Sequence, residues 1–226
     1  MSNITRHDIL NQVNVLSGYT ELISEMLPLD VRGGDPPRIA KYFRNLNKGI
    51  ETIHSQIIFT KDYQELGVVS PTWQSICSIA KEAAFAFSGQ GIKFSIEDKG
   101  LEIYADPLLK KAFYNLFDNA RAHGERVTEI NIRFHTAGGE NVVIEVKDNG
   151  IGISSAMKEL IFEKSVGRNT GLGLFLVRGG ILSITGMEIV ETGIEGEGAR
   201  FEIRVPPGNW RIVPTECRAS SIEVCN

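Results

Sequence analysis

The sequence predicts an α+β protein: an antiparallel helical hairpin over residues 1–66, an α/β sandwich over 67–207, and a tail over 208–226. Three observations carry this. Apolar residues repeat at alternating four- and three-residue intervals through the first quarter of the chain. After Gly67 the repeat gives way to short segments with strand-like alternation, set off by turn residues. Two helical stretches interrupt those segments, which is the order of a mixed layered domain.

In the first helix the seam runs Ile9, Val13, Leu16, Thr20, Ile23, Leu27. In the second it runs Ile39, Phe43, Leu46, Ile50, Ile53, Ile57, with Thr60 and Gln64 in register. Such spacing suits helices packed lengthwise against partners. Pro28 and the stretch from Arg32 to Pro37 lie between them, with Asp35 suited to cap the second helix and Pro36 to its first turn. Two helices alone leave much of their seams uncovered, so a homodimer closing a four-helix bundle is expected.

Beyond Gly67, Trp73 to Phe87 has a helical pattern, and Ile92–Ile96 and Leu101–Tyr104 alternate as strands. Asp106 and Pro107 should open a helix running to about His123, as cap and first helical residue. Strands are expected over Glu129–His135 and Val142–Lys147 around the turn Ala137-Gly138-Gly139, then a helix from Gly173 to about Ile184. A hairpin of Met187–Val190 with Ala199–Val205 follows, and Pro206-Pro207 ends it. The residues from Gly208 onward show no clear period. The linker Tyr63–Ser70 is a natural hinge between the two parts.

Composition narrows the class. Hydrophobic content of 42% and charged content of 23% are those of a globular protein, and a net charge of −4 argues against nucleic acid as a partner. No apolar run approaches the roughly 18 residues of a membrane span. Met1 leads directly into polar residues, unlike a signal peptide. Cys77, Cys217 and Cys225 lack the close spacing of a zinc or redox site, so a reducing, cytoplasmic setting is expected.

On a helical wheel at about 100° per residue, His7 points away from the seam, in the direction of Asn11, Asn14 and Gly18. A neutral imidazole displayed there can act as a nucleophile near neutral pH. The Asp8 carboxylate could accept the proton of one ring nitrogen and leave the other lone pair for attack. Asn11 has the reach to orient a water. The plainer alternative, a surface histidine on a solvated helix face, would lead if His7 stood alone.

Three further segments point to a bound nucleotide. Lys147-Asp148-Asn149-Gly150-Ile151-Gly152 follows the apolar strand Val142–Val146, which sets a carboxylate in a cleft beside backbone that a ligand can approach. Asp148 could accept a hydrogen bond from an adenine amino group, although Asp-x-Gly also occurs in ordinary turns. Gly171-Leu172-Gly173-Leu174 precedes a helix and offers amides to phosphate, or is simply a glycine-rich loop. Asn115 and Asn119 lie one turn apart, off the stripe of Leu109, Ala112, Phe113, Leu116, Phe117 and Ala120. Their amide oxygens could ligate Mg²⁺, or they could be exposed amides, though Asn is a poor residue for a helix interior.

Together these segments resemble the sensor histidine kinases. Thr5–Asn11 looks like the H box of their dimerization and histidine-phosphotransfer domain, Asn115–His123 like the N box, and Asp148–Gly152 like the G1 box. Ile161–Lys164 is similar to the F box and Gly171–Leu174 to the G2 box. The resemblance implies an α/β sandwich of the histidine kinase, gyrase and chaperone ATPase type. It implies ATP and Mg²⁺ as cofactors, with Asn119 and Asn115 on the metal and Asp148 on adenine. Nucleotide contacts would also come from His123, Gly150, Gly152, Lys164, Arg168, Gly171, Leu172, Gly173 and Leu174, under a lid spanning about Ile153 to Thr170. It implies autophosphorylation of His7, transfer to an aspartate of a response regulator receiver domain, and a regulator phosphatase activity in which Asp8 and Asn11 take part. A sensory or membrane part is expected upstream. The family's N box often ends in lysine and an aromatic residue; here Arg121, Ala122 and His123 stand at its end. A water-accepting ATPase of the gyrase and chaperone group, and an inactive docking scaffold, are the competing readings.

Overall fold

The computed structural model describes residues 3–26, 38–138, 140–164 and 171–214. The chain divides into two compact units, Met1–Asp62 and Tyr63–Asn226.

The first unit holds α1 (Asn3–Met26) and most of α2 (Arg38–Glu65). The connecting turn, with Leu27, Asp35 and Pro36, falls outside the described residues. The seam splits into two lines of different fate. Val13, Thr20 and Ile50 are buried, whereas Leu16, Ile23, Leu46 and Ile53 are each more than 40% exposed. The Thr20 hydroxyl is satisfied locally, donating to the Ser17 carbonyl at 2.8 Å, as a buried hydroxyl requires. Val15, Tyr19 and Leu22 are exposed as well, so α1 carries far more apolar surface than its own unit covers. Among the described residues, no helix is long and apolar enough to cross a membrane.

The second unit contains two sheets. The larger runs β2 (Lys93–Ile96), β4 (Glu129–Ala137), β5 (Asn141–Asp148), β7 (Arg200–Val205), β6 (Glu188–Glu191). β2 and β4 are parallel and the other neighbours antiparallel. β5 is central, with Val142, Val143, Ile144 and Val146 all buried. α3 (Ile76–Phe85) packs on α4 (Leu109–His123), and α4 buries its predicted stripe: Leu109, Ala112, Phe113, Leu116, Phe117 and Ala120. Phe87, Phe94 and Phe117 meet as a ring cluster with centroids 5.0–6.2 Å apart, fixing β2 beneath the helices.

The smaller sheet, β1 (Thr72–Ser75), β3 (Leu101–Ala105), β8 (Trp210–Ile212), changes two expectations. Trp73–Ser75 form a strand rather than the start of a helix. Trp73 packs tilted against Tyr104 and has the Arg211 guanidinium over its ring, and Gln74 Nε2 donates to the Ala105 and Asp106 carbonyls. The helix begins only after Ser75, whose hydroxyl accepts from the Ser78 amide. Residues 210–212, expected in an aperiodic tail, pair with β3, and Arg211 bonds Glu102. The rest of the tail, 215–226, lies outside the described residues.

Two helix starts and stops also differ. Asp106 does not cap α4 directly: its Oδ1 accepts from the Leu108 amide at 2.8 Å and its Oδ2 from the Gly67 amide at 3.0 Å. The carboxylate straps Gly67 to the helix entry, and α4 starts two residues later than expected. The helix expected over Gly173–Ile184 is instead α5 (Leu172–Leu176), a π turn (Val177–Ile181) and a 3₁₀ turn (Ser183–Thr185). Gly179 and Gly180 weaken it, and a Cβ on Gly180 would stand 2.7 Å from Leu66 Cδ1, so Leu66 occupies the space.

Candidate nucleotide site

β5 ends at Asp148, which is buried. Its Oδ1 accepts from the Gly150 amide at 2.8 Å and the Ala199 amide at 3.1 Å. Among the described residues no donor reaches its Oδ2. Burial pushes the Asp148 carboxyl above its ordinary pKa; the negative charge of Glu191 adds to that, and the two amide bonds oppose it. A carboxylate with one oxygen anchored and the other free is an acceptor awaiting a donor.

The glycines around it are required by close approach. A Cβ on Gly150 would lie 2.7 Å from the Gly124 carbonyl oxygen, and one on Gly198 2.0 Å from that of Asp148. Gly152 adopts φ +71°. The Ile151 amide donates to the Gly124 carbonyl at 3.2 Å, so this loop docks on the C-terminal end of α4. At the other motif Asn115 Nδ2 donates to the Gly173 carbonyl at 3.3 Å. α4 is therefore tied to both glycine loops. Asn119 and His123 lie on the same helix between and beside those ties and are half-buried.

Leu172 and Leu174 are buried anchors while Gly171, at φ +63°, and Gly173 are half-exposed. The apolar pair secures the loop and leaves its glycine backbone open, which suits an anion. Lys164 is exposed; Arg168 falls outside the described residues. Phe162 is buried edge-on to Phe201, and Arg178 lies over its ring and bonds Glu159. Arg121 is engaged by Asp118 through two bonds to Oδ1. In the first unit His7 and Asp8 are residues of α1. The expected outward direction of their side chains falls outside the described residues. Asn11, Asn14 and Gly18, the rest of that face, are exposed.

Several residues at the site carry no local sequence signal. Asn149 Oδ1 accepts from the Thr128 and Glu129 amides, and its Nδ2 donates to Thr128 Oγ1, fastening the loop to the start of β4. A turn asparagine could have been suspected of such bonding. Glu191 and Lys158 come from distant segments. Arg126 reaches across to the Gly196 carbonyl at 2.7 Å.

Residues 104–209 match the family described as histidine kinase-, DNA gyrase B-, and HSP90-like ATPase. The sensor protein KdpD of Escherichia coli K12 is 26% identical over 88% of this chain and 23% of its own length. The sensor histidine kinase ZraS of Escherichia coli O157:H7 is 27% identical over 88% of this chain and 44% of its own. The chain thus spans less than half the length of these relatives. Among solved structures, full-length ShkA in complex with AMPPNP superposes with a TM-score of 0.63 at 20% identity, over 96% of this chain and 47% of that one. Histidine kinase ThkA in complex with the response regulator protein TrrA gives 0.60 at 21% identity, over 90% and 60% respectively. The fold and the Asp148 and glycine loops gathered on α4 agree with the ATPase family match over residues 104–209, and over most of its length the chain is similar to sensor histidine kinases of two-component systems.

Proposed function

We propose that this chain transfers the γ-phosphate of ATP to His7 and passes it to an aspartate on a response regulator receiver domain. The observation that carries the reading is Asp148, a buried carboxylate at the head of the Gly150–Gly152 loop, with Oδ1 held by two backbone amides and Oδ2 without a donor among the described residues. It accepts the adenine amino group, Gly150 and Gly152 let the base and sugar approach, and the Gly171–Leu174 backbone takes phosphate oxygens with Lys164 and Arg168. His123, at the end of α4, borders the same space. The AMPPNP in the ShkA complex supports a nucleotide at a fold of this kind.

The residues present suit Mg²⁺. Asn115 uses its Nδ2 on Gly173, which leaves its amide oxygen free, and among the described residues no group bonds the Asn119 side chain. Two neutral oxygens beside phosphates are hard ligands of the right type. Bound there, the metal would neutralise phosphate charge. The chain's own task is positioning: phosphoryl transfer needs in-line approach and charge compensation more than covalent help. On α1, Asp8 would hold one imidazole nitrogen's proton so that the other attacks, and Asn11 would orient water for regulator dephosphorylation. The exposed seam line of Leu16, Ile23, Leu46 and Ile53 supports a homodimer closing a four-helix bundle. The regulator complex of ThkA supports a receiver domain as partner. Consumption of ATP and a receiver domain as partner both support a cytoplasmic activity. Incubation with γ-labelled ATP should yield protein-bound phosphate that is acid-labile and base-stable; its absence would refute the kinase reading.

A further inference from the structure

Behind Asp148 lies a second buried carboxylate that the nucleotide reading does not use. The Glu191 side chain is fully buried, 0% exposed. Its Oε1 accepts from the Gly193 amide at 2.9 Å and the Arg200 amide at 3.0 Å. Ala199 and Arg200 are consecutive, so adjacent amides of one strand entry hold the two acids: Ala199 on Asp148, Arg200 on Glu191. A shift of either carboxylate must move the other.

Glu191 Oε2 faces Lys158 Nζ at 2.8 Å, and the same ammonium donates to the Gly193 carbonyl. Lys158 comes from the segment after Gly152, ahead of the 3₁₀ turn Leu160–Phe162. Among the described residues it is the only cation on that oxygen. A buried acid that loses its cation must take up a proton, admit water or move, because an uncompensated charge is costly in a dry interior. Any of those responses disturbs the Arg200 amide and, through it, the adjacent Ala199 amide on Asp148. The electrostatic coupling between the two acids has the same direction: the Glu191 charge makes Asp148 harder to ionise.

Resting on the nucleotide reading above, we propose that Lys158 is a positioning residue for base recognition: its ion pair with Glu191 holds the Ala199–Arg200 amides, and through them the Asp148 acceptor, in register for an adenine amino donor. Lys158 touches no nucleotide in this account. The segment after the first glycine loop is thereby linked to the floor of the base site.

The test is calorimetric titration of the full chain with ADP and GDP, for wild type and for Lys158→Met, Lys158→Arg and Lys158→Met/Glu191→Gln, with melting temperatures alongside. ADP binding should weaken at least about tenfold in K158M and stay within about threefold of wild type in K158R and in the double variant. The preference for ADP over GDP should shrink in K158M, which a merely structural loss, weakening both alike, would not cause. K158M binding ADP within about twofold of wild type, or a double variant as weak as K158M, overturns the proposal. Should K158M not fold, the double variant decides alone: more than about tenfold weaker ADP binding with a normal melting transition is contrary. A wild-type chain that binds neither nucleotide would instead sink the nucleotide reading itself.

Discussion

Asn115 donates from Nδ2 to the Gly173 carbonyl at 3.3 Å, joining α4 to the second glycine loop. Its neighbour one turn along, Asn119, makes no such tie among the described residues. The two asparagines should therefore fail differently. Asn119→Ala should lower phosphate labelling at least about 100-fold while metal-free ADP affinity stays within about threefold. Asn115→Ala should impair both, since the loop loses its anchor. Titrations with and without Mg²⁺ separate the two; equal losses in both conditions for Asn119→Ala would remove it from the metal.

Asp148 gives a pH dependence of defined sign. Its folded pKa lies above the ordinary aspartate value of 3.8, chiefly through burial. Between 3.8 and that raised value the folded chain holds more protons than the unfolded one. This group's contribution to stability is therefore complete below 3.8 and is lost as pH rises through the folded pKa. Asp148→Asn removes that loss and should melt no lower than wild type at neutral pH. It should nonetheless lose ADP binding, because the amide NH₂ would meet the adenine amino group donor to donor. In the wild type, ADP affinity should fall with acidity from a higher pH than an ordinary aspartate would give. A marked drop in stability with intact affinity in Asp148→Asn would contradict both halves.

Gly198 adopts φ +111° with its α-carbon against Asp148, leaving no room for a side chain. Gly198→Ala should cost about 2 kcal/mol or more from backbone strain and the clash. In a chain of this size that is a fall in melting temperature of about 4–8 °C. Gly138, where a Cβ would meet nothing within 4 Å, is the control: Gly138→Ala should melt close to wild type.

What the sequence disclosed and what it hid divide along locality. β5 with Asp148 and its glycines, the buried stripe of α4, and the β6–β7 hairpin follow from short-range patterns and were legible. So were Asn115 and Asn119 as residues out of place in a helix. Trp73–Ser75 mimic a helix start because the interactions that make them a strand, with Tyr104, Ala105 and Arg211, lie far along the chain. The strand at Trp210–Ile212 has only three residues, too few for a period to show. The α5 region broke because Gly180 admits Leu66, a contact with no local trace. The pairing of Lys158 with Glu191 spans segments that no motif connects.

The two lines of the helical seam make separable predictions. Val13 is buried, so Val13→Asp should reduce helix content by circular dichroism. Leu16 and Ile53 are 53% and 47% exposed in one chain. Leu16→Asp and Ile53→Asp should keep their helicity and sediment as monomers where the wild type sediments as a dimer. A wild-type monomer, or a dimer untouched by both changes, would rule out bundle closure along this line.

The most direct measurement is the fate of label from γ-labelled ATP in wild type and His7→Ala, with nucleotide affinity determined on the same samples. The account requires phosphate on the wild type that acid removes and base does not. It requires none on His7→Ala, whose ADP affinity stays unchanged. Label persisting on His7→Ala, or wild type that binds ATP yet acquires no acid-labile phosphate, would contradict it.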